Sequence, residues 1–411
     1  MYEVFGISLD PDEGLDSIRM KTQLALSGFR VVEPYDAIVE ELRDWAIGKD
    51  LVFKGKVDVE SWLTPNPTVD DLILLTPEGI VAFLDTNGCL EYRRKVADFV
   101  KDNISDKPVM IGIDHSMTGG VLDALTERYG SAELGVIVFD SHFDAISSNI
   151  RNKLVEYARE KSPDKGQFGL TPFDYVYYPE GRKDAYLCGS FLKFLIEEGV
   201  IKAENLVVYG PLDYPDAKVR EISDLRVKEY VEAYLQLERQ GVTIVPRSVI
   251  DRNGVIESLK YAISKLDAQN IYISVDIDIM ARRPVLGAKF IDIEGISELE
   301  FYCLVDFLKK VLDDKIVGFD IVEIEPLRAG GTLKNGKPEP TYSVVGNIIR
   351  EFVSGEVEVT SDTLNALAKL KAGKRLERSL EEELIARGFV KQVGKKLKVS
   401  EEIDGLNLKT K

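Results

Sequence analysis

Histidine and aspartate side chains follow three apolar runs of this sequence. One group ends the run 136–139, a second ends the run 271–275, and a third follows the run 109–111. Side chains two residues apart on an extended chain point the same way, so each group presents its donors to one side. The carboxyl ends of strands are also where open α/β sheets place their sites. The side chains concerned are His115, Asp140, His142, Asp144, Asp276 and Asp278.

These side chains suit a site for two divalent metal ions. Six oxygen and nitrogen donors suffice for two ions if some carboxylates bridge, and four carboxylates balance the charge of two such ions. Imidazole and carboxylate without thiolate favour manganese, with zinc, iron or cobalt as alternatives, because calcium and magnesium rarely take imidazole. A single histidine or aspartate at a strand end is usually a turn, cap or exposed residue. Both histidines of the chain belong to the pattern, however, and this favours metal binding.

Length and composition are those of an ordinary globular protein. The 411 residues are 45% hydrophobic and 30% charged, enough for one large domain with additions or for two or three domains. A net charge of −17 argues against a body that binds nucleic acid. The sequence has neither a membrane span of about 20 apolar residues nor a signal peptide, and its scattered cysteines suggest no disulfide framework or zinc site. We therefore expect a cytoplasmic protein without membrane partners.

Apolar runs alternate with amphipathic segments along most of the chain, which predicts an α/β fold with a mainly parallel sheet covered on both faces. In the N-terminal third, strands are predicted at 29–32, 51–53 and 79–84, but their order is not apparent. The stretch 146–182 is rich in proline and glycine and shows no regular period. A loop of that length is usually functional or mobile, so this stretch is a candidate lid or specificity segment.

The composition changes beyond residue 355, which predicts two domains, 1–355 and 356–411. Between residues 369 and 398 of the second domain, lysine and arginine outnumber the acids. Helices predicted at 363–371 and 379–387, followed by a hairpin turning at Gly394, resemble a small winged-helix appendage, which would contact nucleic acid or protein. The alternative is a structural or oligomer-contacting appendage whose basic face is solvated.

The strand-end groups resemble the motifs of the ureohydrolase superfamily, which includes arginase, agmatinase and formimidoylglutamase. Its Gly-Gly-Asp-His-Ser, Asp-Ala-His-x-Asp and Ser-x-Asp-x-Asp boxes stand here as Gly112–Ser116, Asp140–Asp144 and Ser274–Asp278. Its Asp-Ile-Val-Glu-x-x-Pro element stands as Asp320–Pro326, and Glu294–Glu300 is similar to the start of its Gly-Gly-Leu-Thr-x-x-Glu helix. Order and spacing agree over nearly all of the first domain, and the combination is much more specific than any single box.

The resemblance implies a three-layer α/β/α, arginase-like domain with two Mn²⁺ per chain. All the strand-end residues would be ligands: Asp140 and Asp276 bridge the ions, His115 and Asp144 complete one coordination sphere, and His142 and Asp278 complete the other. A metal-bridging hydroxide would attack the guanidinium carbon, because coordination lowers the pKa of water enough to supply hydroxide near neutral pH. Asp278 would also hydrogen-bond the tetrahedral intermediate, Glu323 would pair with the guanidinium, and Asp114 would orient the ligands. For Glu323 the alternative is a capping or ion-pair residue.

The chain departs from the family pattern around the expected catalytic groups. Hydrolytic members usually carry a further histidine between the second and third boxes as a proton shuttle, whereas this chain has no third histidine. The segment Gly166–Pro172 offers no imidazole in that region. Ala281–Pro284 replaces the usual Asp-Pro pair, the first box has lost one glycine, and Ala329 stands where an acid is common. The metal ligands therefore match the family, while the residues around them do not.

The residues and the resemblance together predict a manganese-dependent amidinohydrolase (ureohydrolase) that converts a linear guanidino compound, such as agmatine or arginine, to an amine and urea. One alternative is a divergent C–N hydrolase of another guanidino or formimino substrate. Another is a metal-loaded protein with a binding or regulatory role exerted through residues 360–411. The expected partner is a small cationic guanidino substrate, and family analogy implies a homo-oligomer.

Overall fold

Eight parallel strands form the central sheet of the computed structural model, which describes residues 1–161, 183–281, 285–291, 295–334, 336–394 and 396–411. In chain order the strands are β1 (Tyr2–Ile7), β2 (Leu51–Val57), β3 (Lys107–Gly112), β4 (Leu134–Phe139), β5 (Leu206–Tyr209), β6 (Thr243–Val245), β7 (Asn270–Asp276) and β8 (Ile316–Val322). Their order in the sheet is β2-β1-β3-β8-β7-β4-β5-β6, and all neighbours are parallel. Strands β3, β8, β7 and β4 therefore stand side by side.

Helices fill most of the connections between these strands. In the first domain they are α1 (Leu15–Ser27), α2 (Pro34–Leu42), α3 (Pro77–Asp85), α4 (Gly88–Asn103), α5 (Thr118–Tyr129), α6 (Ser148–Lys161), α7 (Phe191–Glu197), α8 (Ala217–Arg220), α9 (Leu225–Gln240), α10 (Arg247–Asn253), α11 (Val255–Ile263), α12 (Glu298–Leu312) and α13 (Thr341–Ser354). A search of the described residues finds no helix with the length and apolar character of a membrane span.

Alternate residues of the strands pack into two cores, one on each face of the sheet. In β3, Val109 and Ile111 belong to one core, and Met110 between them belongs to the other. Helices α2, α11, α12 and α13 cover the first core, whereas α1, α3, α4, α5, α7 and α9 cover the second. Because both faces are covered, the strands are apolar on both sides. The predicted three-layer α/β/α fold with a parallel sheet is confirmed.

The predicted strand at 79–84 is wrong, because these residues lie in helix α3. The hydroxyl of Thr76 accepts a hydrogen bond from Gly79 N at 3.0 Å and so caps the helix. Pro77 occupies the start of the helix, where its missing N–H is not needed. The run of Ile, Val and Phe favours a strand by propensity, but these two start signals and the tertiary packing favour a helix.

The predicted strand at 29–32 is also wrong, since these residues have no regular structure. Val31 N donates to Asn66 Oδ1 at 2.9 Å, and Val31 O accepts from Asn66 Nδ2 at 3.0 Å. An asparagine side chain thus satisfies the backbone groups that a neighbouring strand would otherwise have bonded.

The stretch 146–182 is less irregular than predicted, because helix α6 occupies residues 148–161. Ile150 and Leu154 are half-buried against the second core, and their spacing with Tyr157 already indicates a helix, so this signal was missed in the sequence. The rest of the candidate lid, including Gly166–Pro172, lies outside the described residues. Residues 282–284 and Glu294, which belong to two of the quoted motifs, lie outside them as well.

The C-terminal segment 356–411 contains the predicted helices and hairpin, and it packs on the first core. Its elements are β9 (Val357–Val359), α14 (Ser361–Lys371), α15 (Arg378–Ala386), the antiparallel pair β10 (Val390–Val393) and β11 (Lys396–Val399), and β12 (Leu408–Thr410), which pairs with β9. Arg387 donates two hydrogen bonds, 2.7 and 3.0 Å long, to the carboxylate of Glu298 in α12. The winged-helix likeness and the domain boundary near residue 355 stay predictions.

Candidate metal centre

The central strands bring the predicted metal ligands to one edge of the sheet. The turn His115–Met117 follows β3, and Asp140 comes directly after β4. Strand β7 ends at Asp276, and Asp278 lies in the turn Ile277–Met280 that follows. The carboxyl ends of parallel strands meet at the same edge of a sheet. Because β8 and β7 lie between β3 and β4, residues far apart in the chain become neighbours.

Three carboxylates surround the imidazole of His115. Its Nδ1 lies 3.3 Å from Asp140 Oδ2, 3.1 Å from Asp144 Oδ2 and 3.5 Å from Asp276 Oδ2. All these side chains are buried, and His115 is completely inaccessible. One ligand atom from each residue lies within 4.8 Å of the others, which is close enough for the group to hold one ion.

Asp140 also belongs to a second group of ligands, together with His142 and Asp278. His142 Nδ1 lies 2.8 Å from Asp278 Oδ2 and 3.6 Å from Asp140 Oδ1. The two oxygens of Asp140 thus face different imidazoles, as a carboxylate that bridges two ions would. His142 is 21% exposed, so this group is accessible to solvent. Asp276 lies only in the first group, and its predicted bridging role stays a prediction.

Three ligand atoms have no hydrogen-bond partner within the described part of the chain: His115 Nδ1, Asp140 Oδ2 and Asp278 Oδ2. Asp278 Oδ2 is close to His142 Nδ1, but the two atoms are not oriented as a hydrogen bond requires. Buried polar atoms are normally satisfied, so unpartnered atoms that converge in a cluster need a ligand. Imidazole nitrogens and carboxylate oxygens without thiolate are a donor set for divalent transition metals. The residues therefore fit the two ions that the sequence predicts.

The carboxylates repel one another, and this also favours a bound cation. Burial and the charges of Asp278 and Asp140 raise the pKa of Asp276 well above its usual value. Burial and Asp140 likewise raise the pKa of Asp144. Burial disfavours a charge on His115, but the surrounding carboxylates, Asp140 foremost, favour the charged imidazole and raise the pKa of His115 well above its usual value. Each shift reflects negative charge that a divalent cation would neutralise.

A buried chain of hydrogen bonds orients the imidazole of His115. Its Nε2 lies 2.9 Å from Ser274 Oγ, and the Ser274 hydroxyl donates to Asp320 Oδ1 at 2.7 Å. Asp320 Oδ2 accepts from the hydroxyls of Thr118 and Tyr272, each at 2.8 Å. Since the serine proton goes to the carboxylate, His115 Nε2 must donate, and Nδ1 is left for a metal.

Ser274 and Asp320 have no role predicted from the sequence. Strand pairing places them directly opposite each other in β7 and β8. Both lie inside quoted motifs, so their positions were visible, but their contact depends on β7 and β8 being neighbours. The sequence carried no signal for that contact.

Asp114 and Glu323 support the turn that carries His115. Asp114 accepts hydrogen bonds from Ser116 N, at 2.9 Å, and from the Ser116 hydroxyl, and so caps the turn. Glu323 follows β8 directly and accepts from His115 N at 2.8 Å. Its φ of 60° lies in the left-handed region, a strained conformation that is common at functional positions. Burial raises the pKa of Asp114 to about 6 and, together with Asp114, raises that of Glu323 well above its usual value.

Backbone amides fix three of the carboxylates. Asp140 Oδ1 accepts from His142 N at 2.6 Å, Asp278 Oδ1 from Ser141 N at 3.0 Å, and Asp276 Oδ1 from Asp278 N at 2.8 Å. In each residue the Oδ2 atom faces an imidazole. Backbone amides at the strand ends therefore hold these three carboxylates in fixed orientations.

Two phenylalanines that were not among the predicted site residues lie against the histidines. The ring of Phe191 is 4.8 Å from that of His115 and closes the buried side of the cluster. The ring of Phe290 meets His142 at 5.9 Å, nearly edge to face at 75°, and is 52% exposed. Neither residue stands in a quoted motif, so nothing in the sequence pointed to it.

Comparisons with known proteins agree with this geometry. A model of the Arginase family matches residues 67–354. A search of curated proteins found no match. An arginase from Bacillus subtilis subsp. subtilis str. 168 has 18% identity and a TM-score of 0.50, with 86% of this chain and 98% of that chain covered. A formiminoglutamase from Trypanosoma cruzi with Mn²⁺ has 15% identity and a TM-score of 0.50, with 86% and 92% covered. At such identities the structural similarity shows the fold alone.

Proposed function

Because the chain belongs to the arginase family, we propose that it hydrolyses a C–N bond of a linear amidino compound with two bound divalent metal ions. The observation that carries this proposal is the position of Asp140, which two groups of ligands share. Two ions held by a common carboxylate are typical of sites that activate water for hydrolysis. The opening of the second group to solvent gives a substrate access to them.

The two groups of ligands would hold one ion each. The first ion would bind His115, Asp140, Asp144 and Asp276, and the second would bind Asp140, His142 and Asp278. Bound there, the ions supply hydroxide near neutral pH by lowering the pKa of water. We propose manganese, since imidazole and carboxylate donors without thiolate suit that ion.

Glu323 and Asp278 would position the substrate. The Glu323 carboxylate is buried and already held through His115 N, so it presents oxygens in a fixed place to a planar amidinium, which can donate two parallel hydrogen bonds. Asp278 is held by Ser141 N through Oδ1, and its Oδ2 can accept from the amino groups of the reacting carbon. Asp114 would keep the turn with His115 in place.

We propose agmatine or arginine as substrate, with urea and an amine as products. The test loads the full chain with manganese, counts the bound ions by elemental analysis, and measures product release on the same preparation. The panel contains guanidino compounds, which would release urea, and formimino compounds, which would release formamide. We expect two ions per chain and turnover of at least one compound. Protein that is replete with metal but hydrolyses no compound of the panel contradicts the proposal.

The missing third histidine favours a second candidate function. We call the two groups of candidate ligands the metal groups. Both histidines of the chain belong to them, so no histidine is left to carry a proton. The second candidate is a metal-loaded protein that binds amidino compounds and acts on a partner through residues 360–411. Two ions per chain with ligand binding but no turnover would favour it over the hydrolase. A small cationic substrate, a homo-oligomer and a cytoplasmic location are further parts of the proposal.

A further inference from the structure

The C-terminal segment 356–411 holds the start of helix α12 through a buried ion pair. Arg387 donates from Nε and from Nη2 to the carboxylate of Glu298, the first residue of α12. The hydroxyl of Tyr302, one turn further along the helix, also donates to Glu298, at 2.9 Å. Among the described residues, no other cation lies within ion-pair range of Glu298. Glu298 is 1% exposed, so its charge depends on Arg387 for compensation.

Backbone contacts join the same two elements. The first N–H groups of a helix have no partner within it, and one of them, Leu299 N, donates to Arg387 O at 3.1 Å. Gly388 has a φ of 82°, in the region that favours glycine. It packs so closely that a β-carbon there would overlap the side chain of Ser297. The C-terminal segment therefore fixes the position at which α12 begins.

The residues just before α12 hold the turn that carries Asp278. Ile296 N donates to Ile279 O at 2.9 Å, and this pairing is continued by Gly295 N, which donates to Ala281 O at 2.7 Å. Both acceptors are within three residues of Asp278, whose own carbonyl accepts from Ala281 N at 2.7 Å. The approach is tight, because a β-carbon at Gly295 would overlap Ile279 O. A shift of the start of α12 must therefore shift Asp278.

A role in stability alone explains only part of this arrangement. Helix α12 already has a cap of its own, because the amide and the hydroxyl of Ser297 donate to Glu300 Oε2 at 2.8 and 2.7 Å. The contacts with the C-terminal segment are therefore not needed to begin the helix, and they determine where it lies. They lead to Asp278, which belongs only to the second metal group. A general loss of stability would affect both ions, whereas a shift of this turn would affect the second ion.

We infer that the C-terminal segment 356–411 positions Asp278 through the start of α12, so that the second metal group binds its ion tightly only while this contact is made. The inference rests on the two metal ions of the proposed function and gives the C-terminal segment a role in holding one of them. Arg387 and Gly388 are positioning residues. Without Arg387, the buried charge of Glu298 is uncompensated, and its movement towards water draws the start of α12 away from the turn.

Titrations of the full chain with manganese test the inference. Arg387→Met should weaken binding of the second ion roughly 10- to 100-fold, as the loss of a contact behind a metal ligand typically does, and should leave the first ion unaffected. Adding Glu298→Gln to Arg387→Met removes the uncompensated charge and should restore part of the affinity. Glu356→Gln is the matched control. It breaks contacts of the same segment with Trp45 and Lys49, outside α12, and should keep both ions.

A second pair of variants tests the same junction without changing a charge. Gly388→Ala would displace Ser297 and should also weaken binding of the second ion. Gly373 lies in the same segment with a similar φ of 72°, but a β-carbon there would meet no described atom within 4 Å. Gly373→Ala should therefore keep both ions. Titrations of His142→Ala and Asp144→Ala, which each lack a ligand of one metal group, identify the ion that is lost.

The outcomes separate the inference from the proposed function. Unfolding in urea shows which variants are folded, and if Arg387→Met is not, Gly388→Ala decides by the same criteria. Selective weakening of the second ion, with both controls unchanged, supports the inference. Equal weakening of both ions, a comparable loss in the controls, or unchanged affinities in both variants would overturn it. If the unchanged chain binds fewer than two ions, the proposed function fails and the inference fails with it.

Discussion

Two clusters of buried charge lie at the carboxyl edge of the sheet, and they are balanced in opposite ways. Beyond β1, Asp10 lies 2.8 Å from Lys21 Nζ and also pairs with Lys289, which lies 3.5 Å from Glu325. We call these four residues the lysine cluster. Its side chains are at most 10% exposed, and none of its inaccessible polar atoms lacks a partner among the described residues. The protein therefore supplies the cations of this cluster itself.

The metal groups are compensated far less. Arg151 Nη2 lies 3.7 Å from Asp144 Oδ1, but among the described residues no lysine or arginine pairs with Asp140, Asp276 or Asp278, and three atoms of the groups are unpartnered. A buried acidic cluster alone therefore does not indicate a metal site. What indicates one is negative charge that the protein leaves uncompensated, on atoms that converge. Four predictions test this difference between the lysine cluster and the metal groups.

The largest effect is expected for the aspartates of the metal groups. Asp140→Ala or Asp276→Ala should abolish metal loading, because each change removes a ligand atom and one of the charges that neutralise the ions. Elemental analysis of the purified chains measures the ions bound. Asp10→Asn, which removes a carboxylate from the lysine cluster, is the matched control and should keep two ions. Two ions per chain in either alanine variant would contradict the assignment.

The second prediction concerns the stability of the lysine cluster. Asp10→Asn should lower the free energy of unfolding by about 3–5 kcal/mol, because it leaves buried lysines without their partner. Unfolding in urea measures the change. Asp50 pairs with the amino terminus at the surface, where it is 70% exposed. Asp50→Asn should therefore lower the free energy of unfolding by less than about 1 kcal/mol. If Asp10→Asn and Asp50→Asn lowered the free energy of unfolding equally, the buried charges of the lysine cluster would not stabilise the fold more than a surface pair does.

The third prediction concerns how the stability contributed by Asp10 depends on pH. Burial disfavours the charge of Asp10, but Lys21 and Lys289 outweigh it and lower its pKa to about 2 from the usual 3.8. A depressed pKa in the folded state adds stability above the pKa of the unfolded state, and this stability is lost as the pH falls through 2. The stability advantage over Asp10→Asn should thus shrink by about 2 kcal/mol between pH 4 and pH 2. If the difference in stability between the unchanged chain and Asp10→Asn did not vary with pH, this would contradict the pairing of Asp10 with the two lysines.

The smallest effect is expected for Ser274, whose hydroxyl supports the imidazole of His115. Ser274→Ala removes the group that accepts from His115 Nε2 and should weaken metal binding about 10-fold, as the loss of such a supporting hydrogen bond typically does. Titration with manganese measures the affinity. Ser258 is also buried, at 2% exposure, and its hydroxyl has no partner within the described ranges. Ser258→Ala is therefore the control, and an equal loss of affinity in both variants would show a general effect of buried hydroxyls.

The predicted metal ligands came from local patterns, and the structure brings all of them together. An Asp-x-His-x-Asp spacing after an apolar run places the donors of one strand end on one side, which depends only on the geometry of an extended chain. The lysine cluster was not predicted. Lys21 and Lys289 lie on α1 and on the loop after β7, far apart in the chain, and no spacing connects them to Asp10.

The errors in the N-terminal third have a physical cause. In α3 the intrinsic propensity of the residues favours a strand, whereas Thr76 and Pro77 just before them are signals for the start of a helix. At 29–32 the extended chain is satisfied by Asn66, a side chain more than thirty residues away. Short apolar runs do not distinguish a strand from a buried helix, and the partner that decides is found only by folding.

Local sequence patterns were enough to predict the alternation of strands and helices, the two-sided burial of the strands and the candidate metal ligands. These depend on periods of two and 3.6 residues and on the chemistry of histidine and aspartate. The strand order became apparent only in the folded chain, and with it the contact of Ser274 with Asp320 and the place of Glu323 behind His115. Strand order follows from the packing of crossover helices on both faces, a long-range property that no local spacing encodes.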